Sequence, residues 1–173
     1  MILKNARSRF ALLLITTALI VAAESRVTAQ TPEATPANPE PGVVREVLSH
    51  GTPGAAPGEN LELVQYTIPP QIELPVHTHP GMQVSEIISG TLHYTVVEGE
   101  MHVYRAGAAE PESITPEDGE VAFNPGDAIV EPEGMVHKAR NTGAEPIVII
   151  TASLLESDEP PAEIIPIEAT PAA

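Results

Sequence analysis

Turn residues interrupt this chain every few positions between Gly51 and Ala144, and that punctuation limits what it can fold into. Residues 51–60 form a Gly/Pro-rich loop, Pro69-Pro70 ends the run before it, and Ser89-Gly90 hinges two further runs. Asn124-Pro125-Gly126-Asp127 is a strong turn tetrad, and Pro132–Gly134 and Asn141-Thr142-Gly143-Ala144 add two more turns. The runs between are short, and several alternate apolar with polar residues, most clearly in L-E-L-V-Q-Y-T-I over residues 61–68. A period of two marks a strand with one buried face. No run beyond the first 29 residues keeps the 3.6-residue period of a helix. The pattern predicts strands over 43–48, 61–68, 84–88, 91–97, 100–105, 121–123, 128–130, 136–140 and 147–155. Many short strands with turns between them predict an all-β sandwich or barrel. Residues 106–120 read as an acidic loop, a tolerated surface insertion.

The two ends differ from this body. Residues 1–29 have the pattern of a secretory signal peptide. Lys4, Arg7 and Arg9 give a positive start, and a largely apolar run of 14 residues over 10–23 is short for a membrane span. Cleavage after Ala23 or after Ala29 satisfies the small-residue pattern. Residues 30–41 are rich in Pro, Thr and Glu and read as a stiff, solvated linker. A similar Pro-rich acidic tail is expected over 158–173, with both tails disordered, although Ile164, Ile165 and Ile167 could dock on a barrel. That leaves residues 42–157 as one domain.

Composition removes several classes of function. Cysteine is absent, so there is no disulfide framework, thiolate metal site or cysteine nucleophile. The formal charge is −16, and without residues 1–29 the chain keeps four basic and 23 acidic residues, a charge of −19. Such a body repels nucleic acid and anionic membranes, and no stable membrane insertion is expected after signal cleavage. Aromatic residues are 3% with no Trp, which leaves little to stack on nucleobases.

The chemistry lies in two separated stretches. In Val76-His77-Thr78-His79, side chains at i and i+2 of an extended strand point to one side, so the two imidazoles make a ready pair of metal ligands. Gln83 shares their parity, whereas Glu86 has the opposite parity and is the poorer candidate. His137 follows the Pro132–Gly134 turn and offers a third imidazole. His50, His93 and His102 read as ordinary surface or core residues. No second carboxylate is tied to this set by a motif, and no catalytic residue is assigned.

These stretches resemble the two signature motifs of the cupin superfamily. Gly126, Pro132, Gly134, His137 and Asn141 match every fixed position of the second motif. His77, His79, Gln83 and Gly90 fit the first, with two departures: Gln71 stands where the family has Gly, and Gln83 where it usually has a Glu ligand. The resemblance implies a single-domain cupin jelly-roll β-barrel, a double-stranded β-helix. It also implies a divalent metal held by His77, His79, Gln83 and His137. Neutral imidazoles and an amide oxygen suit Fe, Mn, Ni, Cu or Zn alike. A non-glycine residue at 71 is expected to carry strain if the turn needs a positive φ.

Fold does not fix function. Two functions fit these residues: an exported dioxygenase-type metalloenzyme acting on a small molecule, or a non-catalytic module holding a small molecule in the barrel cavity. The short first strand and family resemblance further imply a homodimer joined through sheet edges or faces.

Overall fold

A computed structural model describes residues 42–166. The expected signal peptide, the linker and Ile167 all lie outside the described residues. Thirteen strands follow one another in the chain: β1 Val44–Gly51, β2 Glu59–Ile68, β3 Ile72–Glu73, β4 His77–Thr78, β5 Gly81–Ser89, β6 Leu92–Glu98, β7 Met101–Tyr104, β8 Glu112–Ile114, β9 Glu120–Phe123, β10 Ala128–Glu131, β11 Val136–Asn141, β12 Ile147–Glu156 and β13 Glu163–Ile164. They form two sheets with antiparallel pairing. One has the order β1-β2-β12-β5-β10-β7-β8; the other runs β13-β4-β11-β6-β9, with β3 also paired to β11. The all-β jelly-roll expectation is met.

Alternation builds the core. Along β5, Gln83, Ser85 and Ile87 are buried while Met82, Val84, Glu86 and Ile88 are exposed. Strand β12 repeats the pattern, with Ile147, Ile149, Thr151 and Ser153 facing inward. The inward apolar side chains of both sheets join one core that includes Ile68, Ile87, Ile129 and Ile147 from one and Leu92, Tyr94, Val96 and Phe123 from the other. Each fully buried side chain of this size contributes about 1.5–3 kcal/mol.

Three features depart from the sequence expectation. The stretch 106–120 is not merely an inserted loop: β8 pairs with β7 and buries Ile114. Residues 158–166 are docked rather than loose, because β13 pairs with β4 and the Ile165 N–H donates to the Val76 carbonyl at 2.9 Å. Ala162 of this segment is buried. The two-residue strands β3 and β4 escape a periodicity reading because they are too short to show a period.

The departure at Gln71 does appear as a positive φ, 58°, the one such non-glycine residue among those described. That conformation costs roughly 1–2 kcal/mol for an L-residue. Gln71 compensates with its own side chain, whose Nε2 donates to the Thr142 and Gly143 carbonyls at 2.6 and 2.9 Å.

Asn141, the last fixed position of the second motif, ties three segments together. Its buried Nδ2 donates to the carbonyls of Ile68, Pro69 and Glu145 at 3.1, 3.0 and 2.8 Å, and its Oδ1 accepts from the Gly143 N–H at 2.9 Å. Asn141→Ala would leave these backbone groups short of partners in a buried place. We expect a loss of about 2–4 kcal/mol, read as a lower urea midpoint at unchanged slope. A loss under about 1 kcal/mol would show that water replaces the amide.

Candidate metal centre

The two sheets close over the residues that the motifs contribute. β4 pairs with β11 so that His77 stands directly opposite His137. His79, two residues on, turns to the same side, and the Gly134 N–H donates to its carbonyl at 3.1 Å, joining one motif to the other. The three imidazole centroids lie 4.1–5.2 Å apart. One nitrogen from each ring falls within 4.8 Å of the others.

Hydrogen bonds set how these rings face. His77 Nδ1 lies 2.8 Å from the Pro75 carbonyl and His79 Nδ1 2.7 Å from that of Pro161. A carbonyl only accepts, so each Nδ1 carries a proton and Nε2 is the nitrogen left to bind an ion. Carbonyl-supported imidazoles of this kind are the usual form of histidine metal ligands. Burial, and then the neighbouring His77 and His79, hold the His137 pKa well below the ordinary histidine value. His137 is therefore neutral at pH 7, the state a ligand requires. Tyr94 stacks on its ring at 4.9 Å and 11°. These residues fit a divalent metal: the three imidazoles converge on one place, His137 is neutral, and His77 and His79 are held from behind by carbonyls.

Gln83 faces the same cavity and is buried, but its Oε1 accepts from Ser153 Oγ at 3.2 Å, and its buried Nε2 has no hydrogen-bond partner among the described residues. Glu86 points outward from β5. His50 and His102 also stay away from the cavity. His93 lies beside Glu120 at 3.4 Å on the surface.

A carboxylate does belong to the site, contrary to the sequence expectation. Glu131, at the end of β10, is 6% exposed and lines the cavity. It accepts a hydrogen bond from the Tyr94 hydroxyl at 2.5 Å, and its Oε1 lies 3.6 Å from His137 Nε2. It sits within the second motif, immediately before Pro132. The signal was present: Ile129 faces the core, so Glu131 shares its inward parity. Apolar side chains such as Ile68, Leu74, Leu92 and Ile149 line much of the rest of the cavity.

A family model described as Cupin matches residues 29–168. The chain belongs to the cupin family. No curated protein matches it. Among solved structures, a cupin domain of Bordetella pertussis is 18% identical, with 66% of this chain and 94% of that chain covered at a TM-score of 0.43. A cupin superfamily protein of Desulfitobacterium hafniense is 11% identical, with 67% and 80% covered at 0.44. The polyketide cyclase RemF of Streptomyces resistomycificus is 14% identical, with 76% of each chain covered at 0.47. Likenesses this distant say nothing of what this cupin acts on.

Proposed function

We propose that this cupin is an exported metalloenzyme of dioxygenase type that acts on a small organic molecule. One observation carries the reading: three imidazoles, neutral at His137 and tautomer-set at His77 and His79, converge inside a largely apolar cavity. A bound Fe, Mn, Ni, Cu or Zn ion would supply Lewis acidity, and the redox-active ones a site for dioxygen. The chain's own residues do the rest. Ile68, Leu74, Leu92 and Ile149 hold an apolar substrate body and exclude water. The Gln83 Nε2 group offers N–H donors to a substrate oxygen, and Tyr94 holds the Glu131 carboxylate in place. Support for export comes from the sequence of residues 1–29 alone.

The test uses protein purified from its native compartment and analysed for elements, then stripped and reloaded with each candidate metal. Oxygen uptake is followed with phenolic and diketone substrates. Turnover with one metal is the expected result. No uptake with any metal, together with an organic molecule retained in native mass spectrometry, would establish the non-catalytic binding module instead.

A homodimer is part of the proposal. The outer face of the seven-stranded sheet supports it. Leu154 of β12 stands in register between Leu61 and Met82, and Ala152 between Leu63 and Val84. The four flanking side chains are 39–48% exposed. An apolar row of this kind marks an interaction surface. A charge of −19 beyond residue 29 opposes association, but at physiological ionic strength its range shrinks to about 8 Å. Light scattering on a chain starting at Gln30 is expected to give the dimer mass at moderate salt. A monomer at both low and moderate salt, at micromolar protein, would refute the dimer.

A further inference from the structure

We infer that Glu131, rather than Gln83, supplies the oxygen donor of the metal centre. The inference rests on the metal reading above and names a ligand that the first motif does not contain. A divalent ion held by neutral imidazoles alone keeps its full charge inside an apolar cavity, and burying uncompensated charge is costly. Two carboxylates are buried among the described residues, Asp127 and Glu131. Asp127 is already committed: it accepts from the Asn124 and Ala106 N–H groups and pairs with Arg105 at 3.0 Å. Glu131 is the carboxylate that lines the cavity.

Its placement suits a ligand. The 3.6 Å between Glu131 Oε1 and His137 Nε2 is too long for a hydrogen bond. Two donors on one ion, each bonded at about 2.1 Å with angles near 90–110°, stand roughly 3.0–3.4 Å apart. The three imidazole donor atoms lie within 4.8 Å of one another without this carboxylate, so to join them Glu131 must swing from its place beside His137 toward His77 and His79. Tyr94 serves both donors at once, stacking on the His137 ring and donating to the carboxylate. Such outer support orients metal ligands.

Gln83 completes the reasoning. It is the direct partner of Glu131 across the β5–β10 ladder. As oriented, its amide oxygen accepts from the Ser153 hydroxyl, and the nitrogen left over cannot bind a metal. A Glu at position 83 would set two carboxylates side by side; a Gln there removes the repulsion once Glu131 carries the charge. The acid has moved one strand across the sheet.

The experiment measures Co(II) and Zn(II) affinity of the full chain, by competition with a chromophoric chelator, alongside the Co(II) visible spectrum. Glu131→Gln is expected to weaken binding at least about 30-fold and to change the spectrum, and Tyr94→Phe to weaken it about tenfold. Gln83→Leu should stay within about threefold of wild type with its spectrum intact. Far-UV circular dichroism and melting of the metal-free proteins show that each variant folds; if Glu131→Gln does not, Glu131→Asp is expected to fold, bind more weakly than wild type and shift the spectrum. Unchanged affinity in the folded position-131 variant, or an equal loss in Gln83→Leu, would overturn the inference and leave the metal site standing. A wild-type chain that takes up no metal would overturn both.

Discussion

His137→Ala is expected to strip the protein of metal, with affinity falling at least about 100-fold. Three imidazoles are the strong donors here, and removing one leaves a labile pair. His137 is also the histidine that links the two sheets of the site: it faces His77 across the β4–β11 ladder and approaches Glu131 from β10. Its ring is already desolvated and neutral, so the wild-type site gives up little to bring it to the ion. An alanine cannot be replaced by a nearby group, since His50, His93 and His102 all lie elsewhere. The readout is metal per chain after dialysis against a weak chelator. Unchanged stoichiometry would remove His137 from the ligand set. The metal-free variant should remain folded, because removing the ring relieves the crowding of three imidazoles.

Gly81→Ala should do the reverse and damage the fold before the site. A Cβ at Gly81 would lie 2.0 Å from the Leu154 carbonyl oxygen and 2.9 Å from the Leu155 Cα, both backbone atoms of the paired strand β12. Neither can rotate away, so β5 and β12 must part at their ends. The expected loss is at least about 3 kcal/mol, seen as a lower denaturation midpoint. Metal binding should fall with it, because His79 stands two residues before the displaced glycine. Gly58→Ala is the control: its φ of +91° is strained for alanine, but nothing lies within 4 Å of the added carbon. That change should cost only about 1 kcal/mol. Equal effects of the two substitutions would show that backbone strain, not the clash at β12, sets the cost at Gly81.

How much of this could be read from the chain depends on whether the signal is local. Alternation announced the long strands, and β2 and β12 run close to their expected limits. The three histidines were legible because i and i+2 on a strand share a side and because the second motif is complete. The positive φ at Gln71 was legible too, as a residue standing where a glycine is usual. By contrast β3, β4 and β13 are two residues each, and only partners far along the chain make them strands. The engagement of the Gln83 oxygen by Ser153 spans 70 residues and leaves no trace in either neighbourhood. Glu131 is a different case: its parity was available, but a proline directly after it made the strand look finished.

The support behind His79 comes from the far end of the chain. The Pro161 carbonyl accepts a hydrogen bond from its Nδ1, and β13 lies along β4 beside His77. A segment that holds two ligands must gain from whatever those ligands bind, since linkage is reciprocal. Docking of residues 158–166 and occupancy of the centre are thus two halves of one thermodynamic cycle, each strengthened by the other by the same factor. Protease nicking of that segment would then count filled barrels, and a partner that peeled it away would release the ion without touching the cavity.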